Sequence, residues 1–212
     1  MTPLEALEYA SVLVFALTGA LVASRAQLDL VGFVFIACLT AVGGGTLRDL
    51  LLGRDPVFWV GRPAFIVIAA LAAVAVFFTA HLLESRYRAL LWLDACALAV
   101  AVPVGVGVTI GMGFGPVTVL VMGVATGAFG GLMRDVVCNE VPLILRKGEF
   151  YLTAAFCGAA AALISGALGW PGLPALLACA AVTFAMRAGG LAFGWSLPDY
   201  KARPPRPDAP KR

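Results

Sequence analysis

Charge is scarce in this sequence of 212 residues. Asp, Glu, Lys and Arg together make up 13% of it, about half their share in an average soluble protein. Hydrophobic residues make up 61% of the chain, so a globule of this size could not cover its surface with polar groups. The composition therefore excludes a soluble globular protein and indicates that most of the surface faces lipid.

The sequence also lacks the residue sets that build catalytic and metal sites. It has a single histidine, His81, and its five cysteines are scattered without a C-x-x-C pair. The glycine-rich run from Gly105 to Pro116 has no strand-to-helix context and no phosphate-binding lysine after it, so it is not a nucleotide loop. Because no nucleophile–base pair or catalytic histidine set is present, we expect no enzyme activity, no metal, no cofactor and no nucleic-acid partner.

Long apolar segments occupy nearly the whole length of the chain. Each approaches the about 20 residues that a helix needs to cross a hydrocarbon core about 30 Å thick. The sequence therefore predicts an all-α integral membrane protein with seven transmembrane helices. The predicted spans are Ala6–Ala23, Leu30–Leu47, Pro63–Leu83, Leu90–Thr109, Gly115–Met133, Phe150–Leu168 and Pro174–Trp195.

The positions of Lys and Arg predict the orientation of these spans. With seven spans, eleven of the 15 Lys and Arg residues lie on one side, five of them in the tail, and three lie on the other. Because positively charged loops stay in the cytoplasm, we expect the N-terminus outside and the C-terminus in the cytoplasm. The tail, residues 198–212, is basic and rich in proline, and we predict that it is disordered. It acts either as an orientation signal alone or also as a binding segment for anionic membrane lipids.

One passage of the sequence occurs twice. GGGTLRDLLLGRDPVF, residues 43–58, aligns with FGGLMRDVVCNEVPLI, residues 129–144, at an offset of 86 residues, and Glu8 aligns with Asp94 at the same offset. A repeated unit of three helices enters the membrane from the opposite side, so the pattern predicts an inverted repeat, which is typical of transporters and channels. The predicted units are a first three-helix repeat (1–84), a second (85–173), a seventh helix (174–197) and the tail (198–212).

The glycines of the repeated passage have two interpretations. Consecutive glycines favour a bend, and a bent helix survives in a membrane only when it is buried in protein or lies beside water. Glycines spaced by four, such as Gly123, Gly127 and Gly131, also let helices approach closely. We expect both effects, with close contact on one face and a bend beside an aqueous cavity. The candidate pore residues are Gly43, Gly44, Gly45 and Thr46 in the second span and Gly127, Gly130 and Gly131 in the fifth.

An Arg-Asp pair follows the glycines in each copy. The residues are Arg48 and Asp49 in the first copy and Arg134 and Asp135 in the second. A charge inside a membrane is costly unless it is paired or hydrated. Helix direction brings Glu8 to the side where Arg48 arrives, and Asp94 to the side where Arg134 arrives. We therefore predict the ion pairs Glu8–Arg48 and Asp94–Arg134, one near each mouth, which either clamp helix ends or gate and filter ions.

The repeated passages also carry a family resemblance. GGGTLRD and FGGLMRD, each followed by a proline, on a plan of three, three and one helices, resemble the prokaryotic branch of the trimeric intracellular cation (TRIC) channels. The duplicated unit is also similar to the membrane domain labelled as a glycine-transporter domain, and the resemblance covers roughly residues 6–195. It implies a homotrimer in the plasma (inner) membrane of a prokaryote, in which every protomer has its own pore for the monovalent cations K⁺ and Na⁺.

The resemblance further implies where the pore lies. In the family the pore is associated with kinked second and fifth helices, which map onto the glycines named above. The polar residues after them would then approach the conduction path; these are Thr46, Arg48, Asp49, Arg134 and Asp135. The Lys-Glu-Val signature that animal members use for phosphoinositide binding is absent from this sequence.

Three functions remain open from the sequence. The first is a cation channel, and the second is a secondary transporter of a small zwitterion such as glycine, whose carboxylate a broken helix could bind through its N–H groups. The third is a membrane scaffold that only oligomerises through its small-residue faces, which leaves the Arg-Asp pairs unexplained. A channel gives unitary currents, a carrier gives saturable uptake, and a scaffold gives neither.

Overall fold

The computed structural model describes residues 2–83, 85–146 and 150–197, and these are helical without strands. The predicted disordered tail lies outside the described residues. Short 3₁₀ turns lie at Ala80–Leu82 and Leu143–Leu145. The helices are α1 (Pro3–Arg25), α2 (Leu30–Leu52), α3 (Phe58–Gly61), α4 (Ala64–Thr79), α5 (Arg86–Gly111), α6 (Pro116–Val137), α7 (Leu152–Ala167) and α8 (Leu173–Phe193).

The helix ends follow from local sequence signals. Thr2 and Glu5 form a reciprocal capping box at the start of α1, which satisfies two backbone N–H groups that have no partner inside the helix. Asp29 caps α2 by accepting a hydrogen bond from the Gly32 N–H. α2 ends at Gly53, whose φ of 69° is left-handed and suits glycine. The chain therefore turns sharply between the second helix and the residues that follow it.

Within the described part of the chain, six helical segments are long and apolar enough to cross a membrane: α1, α2, α4 with its 3₁₀ turn, α5, α6 and α8. α7, which corresponds to the predicted span Phe150–Leu168, has 16 residues and is shorter than the other six. α5 begins at Arg86, four residues before the predicted Leu90, and continues through Pro103. The short helix α3 was not predicted, because four residues carry no periodic signal.

Among the described residues, three hydrophobic clusters form the interior, two large ones and a small one around Leu52, Val104, Val108 and Met122. Buried residues of α1, α2 and α4 form the first together with part of α5, and buried residues of α5, α6, α7 and α8 form the second. α2 and α6 cross between the two large clusters, and almost no side chain separates their backbones at the crossing. A Cβ placed on Gly44 would lie closer than 3.0 Å to the carbonyl oxygen of Thr126, and one on Gly130 would lie equally close to that of Thr40. Glycine is therefore required at this crossing.

Candidate functional site

The first charged cluster lies at the end of α2 and contains Arg48, Asp49 and Glu8. The Arg48 Nε donates to Asp49 Oδ1 at 2.7 Å, and its Nη2 lies 2.7 Å from the same oxygen. The Nη2 is also 3.7 Å from Glu8 Oε1, on the facing helix α1. All three side chains are buried. The structure thus brings the predicted pair Glu8–Arg48 together, inside the protein rather than at an open surface.

Asp49 has a second role that the sequence did not indicate. Its other oxygen, Oδ2, accepts a hydrogen bond of 2.8 Å from the backbone N–H of Phe58, the first residue of α3. The Phe58 ring lies 5.5 Å from the Arg48 guanidinium carbon. Asp49 therefore fixes α3 against the end of α2 while it orients Arg48, and the aromatic ring covers the guanidinium on one side.

Arg54 joins this cluster from the segment after α2. Its Nη1 lies 3.4 Å from Glu8 Oε1 and 3.6 Å from Asp49 Oδ1. Its side chain is 35% exposed, while those of Glu8 and Asp49 are 7% and 0% exposed. The cluster therefore has two carboxylates and two guanidinium groups, of which only Arg54 reaches solvent. Arg54 lies in the repeated passage, but the direction of the helices did not predict its contact with Glu8 and Asp49.

A more exposed ion pair lies next to this cluster. Glu5 precedes Glu8 by one helical turn on α1, and its Oε1 lies 2.8 Å from Nη2 of Arg62. The hydrogen bond to Glu5 raises the pKa of Arg62. Half of the Arg62 side chain is exposed, so this pair lies at the protein surface, one helical turn from Glu8.

The second charged cluster repeats the first at the end of α6. The Arg134 Nε donates to Asp135 Oδ1 at 2.8 Å, and its Nη1 donates to Asp94 Oδ1 at 3.2 Å. Asp135 Oδ2 accepts a hydrogen bond of 2.9 Å from the backbone N–H of Leu143. The Arg-Asp contact and the contact across the helices have counterparts at the offset of 86 residues, and the backbone donors Phe58 and Leu143 are 85 residues apart. The predicted pair Asp94–Arg134 is thus also in contact, and both side chains are fully buried.

The two clusters differ in the residues that complete them. Phe65 in the first half aligns with Tyr151 in the second, and the Tyr151 hydroxyl lies beside Asp94 near Gly131. Arg187 of α8 is fully buried, its guanidinium carbon lies 4.8 Å from the Tyr151 ring centroid, and its charge acts on Asp94. No sequence argument placed Arg187, and the structure buries it within the protomer, beside the second cluster.

The predicted glycines lie at close contacts along α2 and α6. Gly43 and Gly44 face Gly130 and Thr126 across the crossing of these helices, and Gly45 faces the Phe58 ring. Gly127 contacts Val102 and Leu98 of α5, and Gly131 lies near Asp94. α2 and α6 run as unbroken helices through all of these positions. The close-contact interpretation therefore has direct geometric support, and the bend stays a prediction.

Thr46 lies on a different face of α2 from Arg48. Its hydroxyl donates to the Val42 carbonyl and accepts a hydrogen bond of 2.9 Å from Trp59 Nε1. Together with Trp59 it lines an apolar surface groove of about 360 Å³. Thr46 therefore joins α2 to α3 and does not face the charged cluster.

A small cavity lies beside the first cluster, between α1, α2, α5 and α6. Its volume is about 20 Å³, which is room for about one water molecule. Arg48 Nη2 is buried at this cavity and makes no hydrogen bond beyond its ion-pair contacts. The lining residues are Glu8, Ser11, Val12, Phe15, Ala41, Gly44, Gly45, Arg48, Phe58, Val104 and Thr126. The lining thus combines polar side chains with glycine and apolar residues, and the space has room for one water molecule beside Arg48.

Within ranges 2–83, 85–146 and 150–197, no group of three His, Cys, Asp or Glu side chains is arranged to hold a metal ion.

Comparison with known proteins identifies the family. The family model described as "Glycine transporter" matches the chain twice, over residues 5–81 and 91–166. The TRIC trimeric intracellular cation channel orthologue from Rhodobacter sphaeroides is 48% identical, with a TM-score of 0.88 over 92% of this chain and 100% of that one. A second solved TRIC cation channel is 29% identical, with a TM-score of 0.84 over 96% of this chain and 100% of that one.

A curated relative gives the cellular context. The UPF0126 inner membrane protein YadS of Escherichia coli (strain K12) is 37% identical over 149 residues, which cover 68% of this chain and 70% of the relative. Both solved relatives are described as cation channels rather than enzymes, which agrees with the residue content of the two clusters. The chain is therefore a prokaryotic integral membrane protein that belongs to the glycine-transporter family and shares the fold of the TRIC cation channels.

Proposed function

We propose that this protein is a channel for the monovalent cations K⁺ and Na⁺, with one pore in each protomer of a homotrimer. The observation that carries the proposal is the likeness to the Rhodobacter sphaeroides structure, described as a trimeric cation channel, at 48% identity over 92% of this chain. The local geometry agrees with it, because a buried carboxylate, Glu8, lines a cavity beside the glycines of α2.

The proposed pathway passes through this cavity. At about 20 Å³ it has room for about one water molecule, so a hydrated ion cannot pass while the helices stay in these positions. The described state is accordingly a closed one. Opening requires α2 and α6 to move relative to α1 and α5, and bending at Gly43–Gly45 and at Gly130–Gly131 supplies this movement, since glycine is a common site of helix bending.

The charged clusters serve as the proposed gates. Fixed carboxylates at a narrow opening favour cations over anions, and Glu8 and Asp94 are the acids that face across from α1 and α5. In the closed state each is held by an arginine, Arg48 at 3.7 Å and Arg134 at 3.2 Å. When α2 or α6 moves away, the carboxylate loses this partner and becomes available to a passing cation.

The proposed topology is an inverted repeat of three helices, residues 1–84 and 85–173, followed by a seventh span within 174–197. The two separate family matches support two units. α7 completes the count of seven spans; its 16 residues extend about 24 Å at 1.5 Å per residue, a mismatch that local thinning of the bilayer can absorb. The N-terminus then lies outside and the C-terminus in the cytoplasm, in the plasma membrane.

Recording in planar lipid bilayers tests the proposal. The purified protein should give unitary currents, and under a tenfold KCl gradient the reversal potential should approach the cation limit of about 59 mV. The double variant Glu8→Gln with Asp94→Asn should move the reversal potential toward zero. Unchanged selectivity with a lower melting temperature would leave the two acids only a clamping role.

A carrier of a small zwitterion is the second candidate, and the family description "Glycine transporter" favours it. In this case the cavity would have to enlarge to admit glycine, whose carboxylate would then meet Arg48 Nη2, an atom without a hydrogen bond beyond its ion-pair contacts. Proteoliposomes loaded with buffer and given labelled glycine outside distinguish the two functions. Saturable glycine uptake without unitary currents would establish the carrier and remove the channel.

A further inference from the structure

Arg54 occupies an unusual position at the edge of the first cluster. It follows Gly53, the left-handed residue that ends α2, and its backbone N–H is held by the Asp49 carbonyl at 2.8 Å. The backbone is thus fixed, while the side chain is 35% exposed and reaches inward to two buried carboxylates. A side chain with this attachment can leave the cluster by rotation alone, without any movement of a helix.

Among the residues that the structure describes, no partly exposed arginine or lysine pairs with Asp94 or Asp135 as Arg54 pairs with Glu8 and Asp49. At the offset of 86 residues the position of Arg54 holds Glu140, whose Oε1 lies 3.4 Å from Arg25. The arginine that lies beside the second cluster instead is Arg187, which is fully buried on α8. The two halves therefore share the Arg-Asp arrangement but differ in whether solvent reaches the additional cation.

Removing Arg54 would leave the first cluster with an uncompensated negative charge. Glu8 and Asp49 would then face one guanidinium, that of Arg48, and a buried unpaired charge is strongly unfavourable. One monovalent cation restores neutrality, whereas a divalent cation overcompensates. The adjacent cavity can hold a water molecule that accepts a hydrogen bond from Arg48 Nη2 and offers its oxygen to the ion.

We infer that Glu8 and Asp49 form a binding site for one monovalent alkali cation, and that the Arg54 guanidinium fills this site in the closed protein as a tethered substitute for the ion. The Nη1 of Arg54 lies 3.4 and 3.6 Å from the two carboxylate oxygens, so it stands where the cation binds. The site rests on the proposed channel function and deepens it, because Arg54 then competes with the permeant ion at the outer end of the pathway.

The test compares Arg54→Gln with Arg62→Gln, a matched control on a neighbouring exposed arginine that pairs with Glu5. Two measurements are made on each purified protein. The first is the dependence of single-channel conductance on KCl concentration. The second is the melting temperature in detergent as K⁺ replaces choline at constant ionic strength, which reports cation binding without any need for conduction.

Arg54→Gln should lower the KCl concentration at half-saturation about tenfold, since a partner at about 3.5 Å of a buried carboxylate competes strongly with a free ion. It should also make the melting temperature rise with K⁺, and adding Glu8→Gln should abolish this rise. Arg62→Gln should behave as the wild type in both measurements. Arg54→Lys keeps the charge on a less well-fitting group, so both of its measured values should lie between those of the wild type and Arg54→Gln. It replaces Arg54→Gln if that variant does not fold.

The outcomes separate this site from the channel itself. If the wild type conducts cations but Arg54→Gln matches Arg62→Gln in both measurements, the tethered-cation site is refuted and the channel stands. If no variant conducts but Arg54→Gln is stabilised by K⁺ through Glu8, the site stands and the channel function fails.

Discussion

The crossing of α2 and α6 leads to the sharpest prediction about stability. A Cβ on Gly44 would lie closer than 3.0 Å to the Thr126 carbonyl oxygen, and relief of this overlap requires the helices to separate by about 1 Å. Overpacking in a core costs about 1–3 kcal/mol. A backbone carbonyl cannot rotate away as a side chain can, so we place Gly44→Ala at the upper end, about 3 kcal/mol.

Thermal unfolding in detergent measures this effect. For a chain of this size about 3 kcal/mol corresponds to a melting temperature about 6–12 °C lower than that of the wild type. Gly166→Ala is the control, because a Cβ at Gly166 meets nothing within 4 Å and alanine favours helix by about 1 kcal/mol. Gly130→Ala, which meets the Thr40 carbonyl in the same way, should resemble Gly44→Ala.

The same series separates the two interpretations of the glycines. If Gly44→Ala melts within error of Gly166→Ala, the two helices do not meet backbone to backbone at this point, and the reasoning from close contact is wrong. If its melting temperature is unchanged while its conductance is lost, the glycine serves bending alone. A fall in both is the result we expect from a residue that makes the contact and permits the movement.

The remaining predictions concern the charged clusters and use the same melting assay. Asp49→Asn should lower stability by about 3 kcal/mol, because Arg48 stays buried with its main partner weakened, and a change below about 1 kcal/mol would contradict the ion-pair geometry. Glu5→Gln should leave the melting temperature within error of the wild type, since that pair is exposed; a large loss would show that it is not. Arg187→Gln should destabilise by about 3 kcal/mol or more, because it removes a buried positive charge that acts on Asp94, and wild-type stability would exclude that coupling.

Much of the charged architecture followed from the sequence because of the repeat. The offset of 86 residues aligned Glu8 with Asp94, and helix direction then predicted both cross-helix pairs, which the structure contains at 3.7 and 3.2 Å. Apolar composition likewise predicted the membrane helices, since each long helix is hydrophobic nearly all round. Because the helices are so uniformly hydrophobic, the sequence did not predict which face of each helix points inward. For this reason Thr46 was expected near the pathway, although its hydroxyl accepts a hydrogen bond from Trp59.

Contacts between distant segments were outside the reach of sequence reasoning. Arg187 on α8 is separated from Asp94 on α5 by the two helices α6 and α7, and no spacing rule connects α8 with α5. Arg54 was visible in the repeated passage, but its contact with Glu8 depends on the turn at Gly53 and on the position of α3. The contacts of both residues depend on tertiary geometry, and both are among the residues in which the two halves differ.

The two carboxylates of each cluster make different contacts, and this difference bears on the choice between clamping and gating. Neighbouring residues on a helix do not face each other, yet Asp49 and Asp135 each receive a hydrogen bond from the preceding arginine and another from a backbone N–H beyond the helix. Such bonds fix the chain after the helix and orient the guanidinium. Glu8 and Asp94 make no such backbone bond and touch the arginines only across the helix interface. Separation of the helices would therefore break the contacts of Glu8 and Asp94 while it leaves the Arg-Asp pairs intact. On this ground we propose that Asp49 and Asp135 clamp the helix ends and that Glu8 and Asp94 act as gates.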